Sequence, residues 1–160
     1  YGTAETFEIV RRVFQYAFSP EPSQSSAPRV DLCSITDQPF ELFGMQVIPI
    51  RLLPGNGVAL GFRFGAAAYL TDHSEIPEAS KSKLRGLDVL FLDALRHRPH
   101  PTHSTVAQSL ASVEELKPRR AFFTHICHDL PHAQTEALFP EHVRLAYDGL
   151  ELDVTNEVLA

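Results

Sequence analysis

Short apolar runs separated by turn residues fill the middle of the chain, and they limit the fold more than any other feature. Four such runs, rich in β-branched and aromatic residues, cover residues 30–35, 40–53, 58–64 and 67–71. Runs of this length with Gly, Pro and Asn between them are typical of an antiparallel meander. After residue 78 the apolar runs alternate with helical patterns, which is typical of parallel βαβ units. The two patterns together predict an α/β fold with one mixed sheet and helices on one face.

The helical patterns begin at recognisable capping residues. Thr3 can cap a helix near the start of the chain, and Ser104 can cap a second helix that ends at Leu116. The apolar residues predicted to face the core are Phe7, Val10, Val13, Phe14 and Ala17 in the first helix and Val106, Leu110, Val113 and Leu116 in the second. The other predicted elements are helices at 78–84 and 133–138, strands at 87–92 and 121–124, and a hairpin over 143–154 that turns at Asp148 and Gly149.

Length, charge and hydropathy narrow the class of protein. With 160 residues, 44% of them hydrophobic, we expect one globular domain over residues 1–160, with a flexible Ser- and Pro-rich loop at 19–29. No apolar run is long enough to cross a bilayer, so we expect no membrane contact and a cytoplasmic location. The net charge of −6 disfavours nucleic acid as a partner, because phosphate backbones are bound mainly by Lys and Arg.

Neither the cysteines nor the common catalytic motifs indicate a function for this chain. Cys33 and Cys127 are the only two cysteines and lie far apart in sequence, which argues against a disulfide framework or a zinc ribbon. A nucleophilic pair of Cys127 with His125 is disfavoured, because both side chains would project the same way from a strand without an orienting partner. The sequence contains no Gly-x-Ser-x-Gly elbow, Walker-type loop or dinucleotide-binding Gly-x-Gly-x-x-Gly.

Three stretches that follow apolar runs are rich in ionisable residues. They are residues 68–75, 93–103 and 124–129, and they hold six of the eight histidines. If the runs leave one sheet at the same edge, their side chains converge, and imidazole with carboxylate suits zinc, manganese, iron or nickel. The sequence therefore predicts a metal site. For His97 and His100 we favour the plainer interpretation of solvated loop residues, because the prolines beside them exclude a helix.

Six short motifs occur in an order and an approximate spacing that are more specific than any one of them. They are Leu60-Gly61-Phe62-Arg63-Phe64, Tyr69-Leu70-Thr71-Asp72, Leu92-Asp93-Ala94-Leu95, Pro101-Thr102-His103, Thr124-His125-Ile126-Cys127-His128-Asp129 and Ala146-Tyr147-Asp148-Gly149. This set resembles the later motifs of the metallo-β-lactamase fold superfamily. It is most similar to the phosphodiesterase branch, which includes phosphonate-utilisation cyclic phosphodiesterases and tRNA 3′-processing endonucleases.

The resemblance implies a four-layer αββα sandwich with two divalent metal ions, zinc or manganese, at one edge. By the same resemblance, Asp72 matches an aspartate that bridges both ions, His125 matches a histidine that ligates one ion, and His103 matches a catalytic histidine that contacts the substrate phosphate and acts as general acid. Two such ions share a hydroxide and lower its pKa, and they clamp the oxygens of a phosphodiester. A small phosphodiester is the substrate that this implies, with nucleic acid less favoured.

Two departures from the family pattern qualify this expectation. The signature His-x-His-x-Asp-His is absent, so we expect a carboxyl-terminal portion of a metal-dependent hydrolase, a partial domain with an incomplete metal site and no turnover of its own. Half of a sandwich would leave an apolar sheet face uncovered, so we also expect self-association, of which a homodimer is one form. In the turn before the Leu-Gly-Phe strand, where the family usually has a ligand histidine, this chain has Leu53-Pro54-Gly55-Asn56-Gly57. A non-catalytic binding or interaction domain of the same fold is therefore the alternative, and an unrelated α/β domain with a histidine-rich loop is the third option.

Overall fold

The computed structural model describes residues 1–18 and 28–154 of the chain. It contains two compact units, Tyr1–Gln38 and Pro39–Ala160. Most of the loop predicted at 19–29 therefore lies outside the described residues.

The described part of the first unit begins with helix α1, over Ala4–Val13, followed by a 3-10 turn over Gln15–Ala17. The predicted cap is confirmed, because the Thr3 side chain accepts a hydrogen bond from the Thr6 backbone N–H at 3.3 Å. The predicted apolar stripe is wrong in part. Phe7 is buried, whereas Phe14 is 47% exposed and Val13 is 60% exposed.

The strand predicted at 30–35 is also wrong. Only Ser34 pairs there, in an isolated parallel bridge with Gly2. The Gly2 N–H donates to Cys33 O at 3.1 Å, and the Ile35 N–H donates to Gly2 O at 2.9 Å. Gly2 also lies close to the ring of Phe7, which a Cβ on Gly2 would approach to 2.9 Å. The two hydrogen bonds of Gly2 tie the first residues of the chain to the segment from Cys33 to Ile35.

The second unit is built on a seven-stranded sheet whose spatial order follows the chain order. The strands are β1 Phe40–Leu42, β2 Met45–Leu52, β3 Ala59–Phe64, β4 Ala67–Leu70, β5 Val89–Asp93, β6 Arg120–Thr124 and β7 Val143–Leu145. β1 to β4 pair antiparallel, whereas β4 to β7 pair parallel. The predicted meander and the predicted parallel units are thus confirmed as parts of one mixed sheet.

Two strand boundaries differ from the sequence prediction. The run at 40–53 is two strands, since Phe43 and Gly44 both have positive φ, 52° and 74°, and turn the chain back as a tight hairpin. The hairpin predicted over 143–154 is wrong. β7 pairs parallel to β6, and residues 146–154 form no second strand.

Among the described residues of this unit, three helices accompany the sheet: α2 Glu78–Lys81 with a 3-10 turn over Ser82–Leu84, α3 Val106–Leu116, and α4 His132–Glu136. α3 is capped by Thr105 instead of the predicted Ser104. Thr105 and Gln108 form a capping box, in which each side chain bonds the other residue's backbone N–H. The Ser104 hydroxyl instead donates to His73 O at 3.0 Å, which links the start of α3 to the segment after β4.

The main core lies on one face of the sheet. Residues such as Leu70, Leu92 and Phe123 pack there against Val113 and Leu116 of α3. A smaller cluster occupies the other face around Ala67, Val89 and Phe122, with Leu150 and Leu152 packed against it. None of the described helices has the length and the apolar character that are needed to cross a membrane. The loops that follow β4, β5 and β6 leave the sheet at the carboxyl edge of the parallel strands.

Candidate functional site

The three stretches rich in ionisable residues meet at the carboxyl edge of the parallel strands. β4, β5 and β6 are neighbours, with Leu70 paired to Leu92 and Asp93 paired to Thr124. Asp72 and His125 therefore follow strand ends that one strand separates, and His103 lies in the loop between β5 and α3. In open α/β sheets this edge is the usual position of a site.

Two residues at this edge hold a left-handed backbone conformation. Asp72 has φ 60° and His125 has φ 55°. For residues other than glycine this conformation costs about 1–2 kcal/mol, and it persists where the surrounding structure requires it. Because Cβ direction follows the backbone, the conformation at each strand end sets where the carboxylate and the imidazole point. Such strain in two residues of one cluster is typical of functional sites.

The structure brings Asp72, His103 and His125 together. One ligand atom from each residue lies within 4.8 Å of the others. The Nε2 atom of His125 is 3.6 Å from Oδ1 of Asp72, and these two side chains are 38% and 58% exposed. A dissolved cation can therefore reach the cluster, which contains all three residues that the sequence analysis selected.

The donor set fits a divalent metal ion. Two imidazoles and one carboxylate are the ligands of many zinc and other first-row metal sites, and three protein ligands leave positions for water or substrate. Histidines that bind metals usually face a carboxylate with their other ring nitrogen. The Nδ1 atom of His103 faces Asp93 in this manner, with 3.7 Å between Nδ1 and Oδ2.

Asp93 is fully buried and lies behind the cluster. Its Oδ1 atom is 2.8 Å from Nδ1 of His73, and its Oδ2 atom accepts a hydrogen bond from the His73 backbone N–H at 3.4 Å. The Ser109 hydroxyl of α3 donates to the Asp93 carbonyl at 2.6 Å. Asp93 thus contacts imidazoles from two different loops.

The segment 96–105, here called the histidine loop, is closed at its base and braced inside. Arg96 and Thr105 form a parallel bridge, flanked by hydrogen bonds from Leu95 N–H to Ser104 O and from Val106 N–H to Arg96 O. The Arg96 guanidinium also donates to Arg98 O at 3.3 Å and to Pro99 O at 3.0 Å. These contacts hold the loop in one shape although Pro99 and Pro101 prevent regular structure.

The histidine loop carries a second imidazole, His100, and its interpretation as a solvated loop residue is wrong, because the ring is half-buried against His103. His100 stacks on His103 with 4.8 Å between ring centroids and 16° between planes, and His103 contacts His125 at 4.8 Å and 48°. Burial lowers the pKa of His100, and the neighbouring His103 and Arg96 add to the effect. His97, in contrast, is exposed, as expected.

His73 was also missed as part of this region. Its side chain is 3% exposed and turns towards Asp93, although it directly follows the exposed Asp72. The sequence contained no local signal for either histidine. The buried position of His73 depends on its contact with Asp93, and only closure of the loop places His100 on His103.

The polar residues that follow His125 in the loop after β6 contact one another and Arg98, and do not join the cluster of Asp72, His103 and His125. Asp129 pairs with Arg98 at 2.7 Å, and this guanidinium lowers the pKa of the Asp129 carboxyl. The His128 side chain is 95% exposed and lies 3.3 Å from Asp129. Cys127 accepts a hydrogen bond from the Asp129 backbone N–H at 3.4 Å. These contacts shape the loop after β6.

The turn at 53–57, where the sequence lacks a ligand histidine, lies against the histidine loop. Gly55 has φ 81°, and a Cβ on it would come within 2.4 Å of Pro101 O. Neither Pro54 nor Gly55 has a side chain that binds metal. The turn therefore supports the position of the loop without adding an imidazole to the cluster.

The fold and the cluster define an α/β domain with a candidate metal centre at the carboxyl edge of its parallel strands. A family model of the β-lactamase superfamily domain matches residues 1–126, and the chain belongs to this superfamily. The fold that the six motifs predicted, a metallo-β-lactamase fold of the phosphodiesterase branch, is confirmed.

Three similar proteins illustrate the relationship. The crystal structure of a diphosphatase from the PhnP family has 46% identity and a TM-score of 0.87, over 95% of this chain and 56% of that chain. The structure of human tRNase Z, short form, has 16% identity and a TM-score of 0.63, over 97% of this chain and 67% of that chain, and shows a shared fold. An octanoyltransferase of Porphyromonas gingivalis is 29% identical over 154 residues, which are 94% of this chain and 31% of that protein. The chain thus spans about a third of the curated relative and 56% of the diphosphatase.

Proposed function

We propose that this chain contributes to a metal-dependent hydrolase that cleaves phosphodiester bonds. One observation carries the proposal: the ligand atoms of Asp72, His103 and His125 lie within 4.8 Å of one another, although the residues come from three separate loops. The backbone conformations of Asp72 and His125 support it, because their strain serves a site better than it serves stability.

In this proposal Asp72 and His125 hold the metal. A carboxylate has two oxygens and can bind two ions, whereas an imidazole binds one, which suits Asp72 to a shared position and His125 to a terminal one. Divalent ions bound there supply a hydroxide near neutral pH and neutralise phosphoryl charge. The role of Asp72 and His125 is to hold the ions in a fixed position relative to the substrate.

His103 is proposed as the acid on the phosphate side. Its ring lies beside His125, and its side chain is 20% exposed, so part of the ring remains accessible to substrate. Asp93 faces its Nδ1 atom, which favours a proton on that nitrogen and directs Nε2 to the substrate. To act as the acid, the ring carries a second proton on Nε2, gives it to the leaving oxygen and keeps the proton on Nδ1. The gap of 3.7 Å is longer than a hydrogen bond, and such contacts often tighten when substrate binds.

A small phosphodiester is the proposed substrate. The PhnP-family relative is described as a diphosphatase, which supports a phosphate-containing substrate for this chain as well. Arg96 and Arg98 place two cationic groups on the histidine loop, although Arg98 is paired with Asp129. The net charge of −6 disfavours a long polyanion such as RNA.

We further propose that turnover needs more ligands than Asp72 and His125. A binuclear centre requires enough donors to hold two ions, and these two residues offer one carboxylate and one imidazole. The expected result is that residues 1–160 alone bind zinc or manganese weakly and hydrolyse no diester. Zinc- or manganese-stimulated hydrolysis of bis(p-nitrophenyl) phosphate by these 160 residues would contradict this part of the proposal.

The main test compares metal content and diester hydrolysis in the full-length protein that contains these residues with those of its Asp72→Ala and His125→Ala variants. We expect both variants to lose metal and turnover, because each removes a direct ligand. His97→Ala is the matched control, since this histidine is exposed on the histidine loop. Unchanged metal content and rate in both ligand variants would end the proposal.

The second candidate is a non-catalytic binding or interaction domain of the same fold. The turn Leu53-Pro54-Gly55-Asn56-Gly57 favours it, because it has no imidazole where the family usually has a ligand histidine. A domain of this kind would bind no metal tightly and would be insensitive to chelators. Calorimetric titration of the full-length protein with zinc and manganese distinguishes the two candidates. Tight binding supports the enzyme, and no tight binding supports the binding domain.

A further inference from the structure

His100 is the outermost of three imidazoles in ring contact. His103 lies between the other two in the order of contacts, 4.8 Å from His100 on one hand and 4.8 Å from His125 on the other. The rings of His100 and His103 are nearly parallel, at 16°. His100 is half-buried, whereas His97 on the same loop is exposed. The row of three imidazoles thus extends the candidate site beyond the residues assigned to metal binding and to proton transfer.

The surrounding structure restrains His100. The base of the histidine loop is closed by the bridge between Arg96 and Thr105, and the guanidinium of Arg96 binds two carbonyls inside the loop. Gly55 lies against Pro101, the residue after His100, so closely that a Cβ would meet Pro101 O. A side chain held in this way loses little further freedom when it binds a ligand.

The hydrogen bonds of Thr102 determine which nitrogen of His100 carries a proton. The backbone N–H of Thr102 donates to Nδ1 of His100 at 3.3 Å. A nitrogen that accepts from an N–H has no proton of its own, so the proton of this neutral ring is on Nε2. Nε2 makes no hydrogen bond to any described residue. His100 therefore offers one oriented donor.

We propose that His100 is a substrate-binding residue whose Nε2–H donates to a phosphoryl oxygen next to the position served by His103. The inference rests on the proposed function, because it assigns a second contact to the same phosphodiester. His103 and His100 then have different tasks: His103 transfers a proton to the leaving oxygen, and His100 binds an oxygen that keeps its charge. A neutral donor suits this task because it binds the phosphate without competing for the transferred proton.

The test uses the full-length protein, loaded with metal, and inorganic phosphate as the probe. Binding is followed through the ring ¹⁵N resonances of the histidines, and metal content is measured in parallel. We expect the His100 Nε2 resonance to move as phosphate saturates. His100→Ala should weaken phosphate binding about tenfold or more, since a hydrogen bond to a charged group is lost. His100→Gln, which restores an N–H donor, should recover part of the affinity.

The control and the contrary outcomes separate this inference from the proposed function. His97→Ala should bind phosphate as the wild type does, and neither His100→Ala nor His97→Ala should change metal content. The inference is overturned if His100→Ala binds phosphate like the wild type, if Nε2 of His100 does not move, or if the wild type binds no phosphate. The proposed function fails separately, through unchanged metal content and hydrolysis in Asp72→Ala and His125→Ala.

Discussion

The Nδ1 atom of His73 lies 2.8 Å from Oδ1 of Asp93, and both side chains are buried. The other carboxylate oxygen faces Nδ1 of His103 at 3.7 Å. One carboxylate in the interior therefore contacts the loop that carries Asp72 and the loop that carries His103. This contact relates the position of the candidate ligand to that of the candidate acid.

Asp93→Ala should lower the free energy of unfolding by about 3 kcal/mol, because removing one member of a buried charged contact leaves its partners without compensation. Asp93→Asn keeps the size and one acceptor oxygen, so it should recover part of this loss. Urea denaturation followed by circular dichroism measures both. His128→Ala is the control and should change stability by less than about 0.5 kcal/mol, since its side chain is exposed. Wild-type stability in Asp93→Ala would show that these contacts contribute nothing.

The left-handed conformation of His125 allows function and stability to be separated. His125→Gly and His125→Ala both remove the imidazole and should both lose metal. Without metal, the glycine variant should be more stable than the alanine variant by about 1 kcal/mol, because glycine adopts φ 55° without the Cβ penalty. Thermal unfolding in a chelator tests this difference. Equal stability of the two variants would mean that the backbone at this position holds no strain.

Gly55 and Gly57 form a matched pair for testing the support of the histidine loop. Both have positive φ, 81° and 86°, but only Gly55 faces a close neighbour, Pro101 O. Gly55→Ala should therefore cost about 1–3 kcal/mol beyond Gly57→Ala, as overpacking does, and should shift the ring resonances of His100. Gly57→Ala should leave those resonances in place. Similar spectra and stabilities for both variants would show that the turn does not support the loop.

Stability at low pH should depend on Asp88. This carboxylate is buried and accepts hydrogen bonds from Arg119 and Arg120, which hold the pKa of Asp88 below its usual value. A lowered folded-state pKa means that the stabilisation is fully present above the unfolded value of about 3.9 and is lost as pH falls through the folded value. The free energy of unfolding should thus decrease below about pH 4.

Asp88→Asn is the variant that tests this prediction. At pH 7 it should cost about 2 kcal/mol, less than a fully enclosed pair would, because the Arg119 side chain is 59% exposed and solvent weakens its interaction. The difference from the wild type should shrink as pH falls through the lowered pKa of Asp88, because the wild-type carboxyl then becomes neutral as well. Asp148→Asn, at an exposed turn, serves as the control. A constant difference between Asp88→Asn and the wild type at all pH values would exclude this account.

Several features of the fold followed from local patterns. The antiparallel pairing of β2 with β3 and the parallel pairing of β5 with β6 agree with the prediction, because turn residues and helical crossovers determine strand direction over short distances. The order of the six motifs likewise predicted the superfamily. Turn geometry was harder to predict. Nothing in the composition near Phe43 indicates that this residue adopts a positive φ.

Other predictions failed where a distant contact competed with a local preference. Ser104 has a side chain suited to capping, but its hydroxyl binds His73 O, and Thr105 caps α3 instead. The last apolar run suggested a hairpin because Asp148 and Gly149 favour a turn, whereas β7 pairs with β6 and the residues after it form no strand up to residue 154. In both cases the partner lies far away in sequence.

The sequence by itself determined the alternation of elements and the residue types available at the strand ends, because hydrophobic period and turn chemistry are properties of neighbouring residues. It also selected Asp72, His103 and His125 through their resemblance to family motifs. Only the tertiary structure decided which of the eight histidines lie together. Register places β4 beside β5 and β5 beside β6, and the closed histidine loop brings His100 onto His103. Such contacts depend on backbone conformations and on distant partners, which no local pattern specifies.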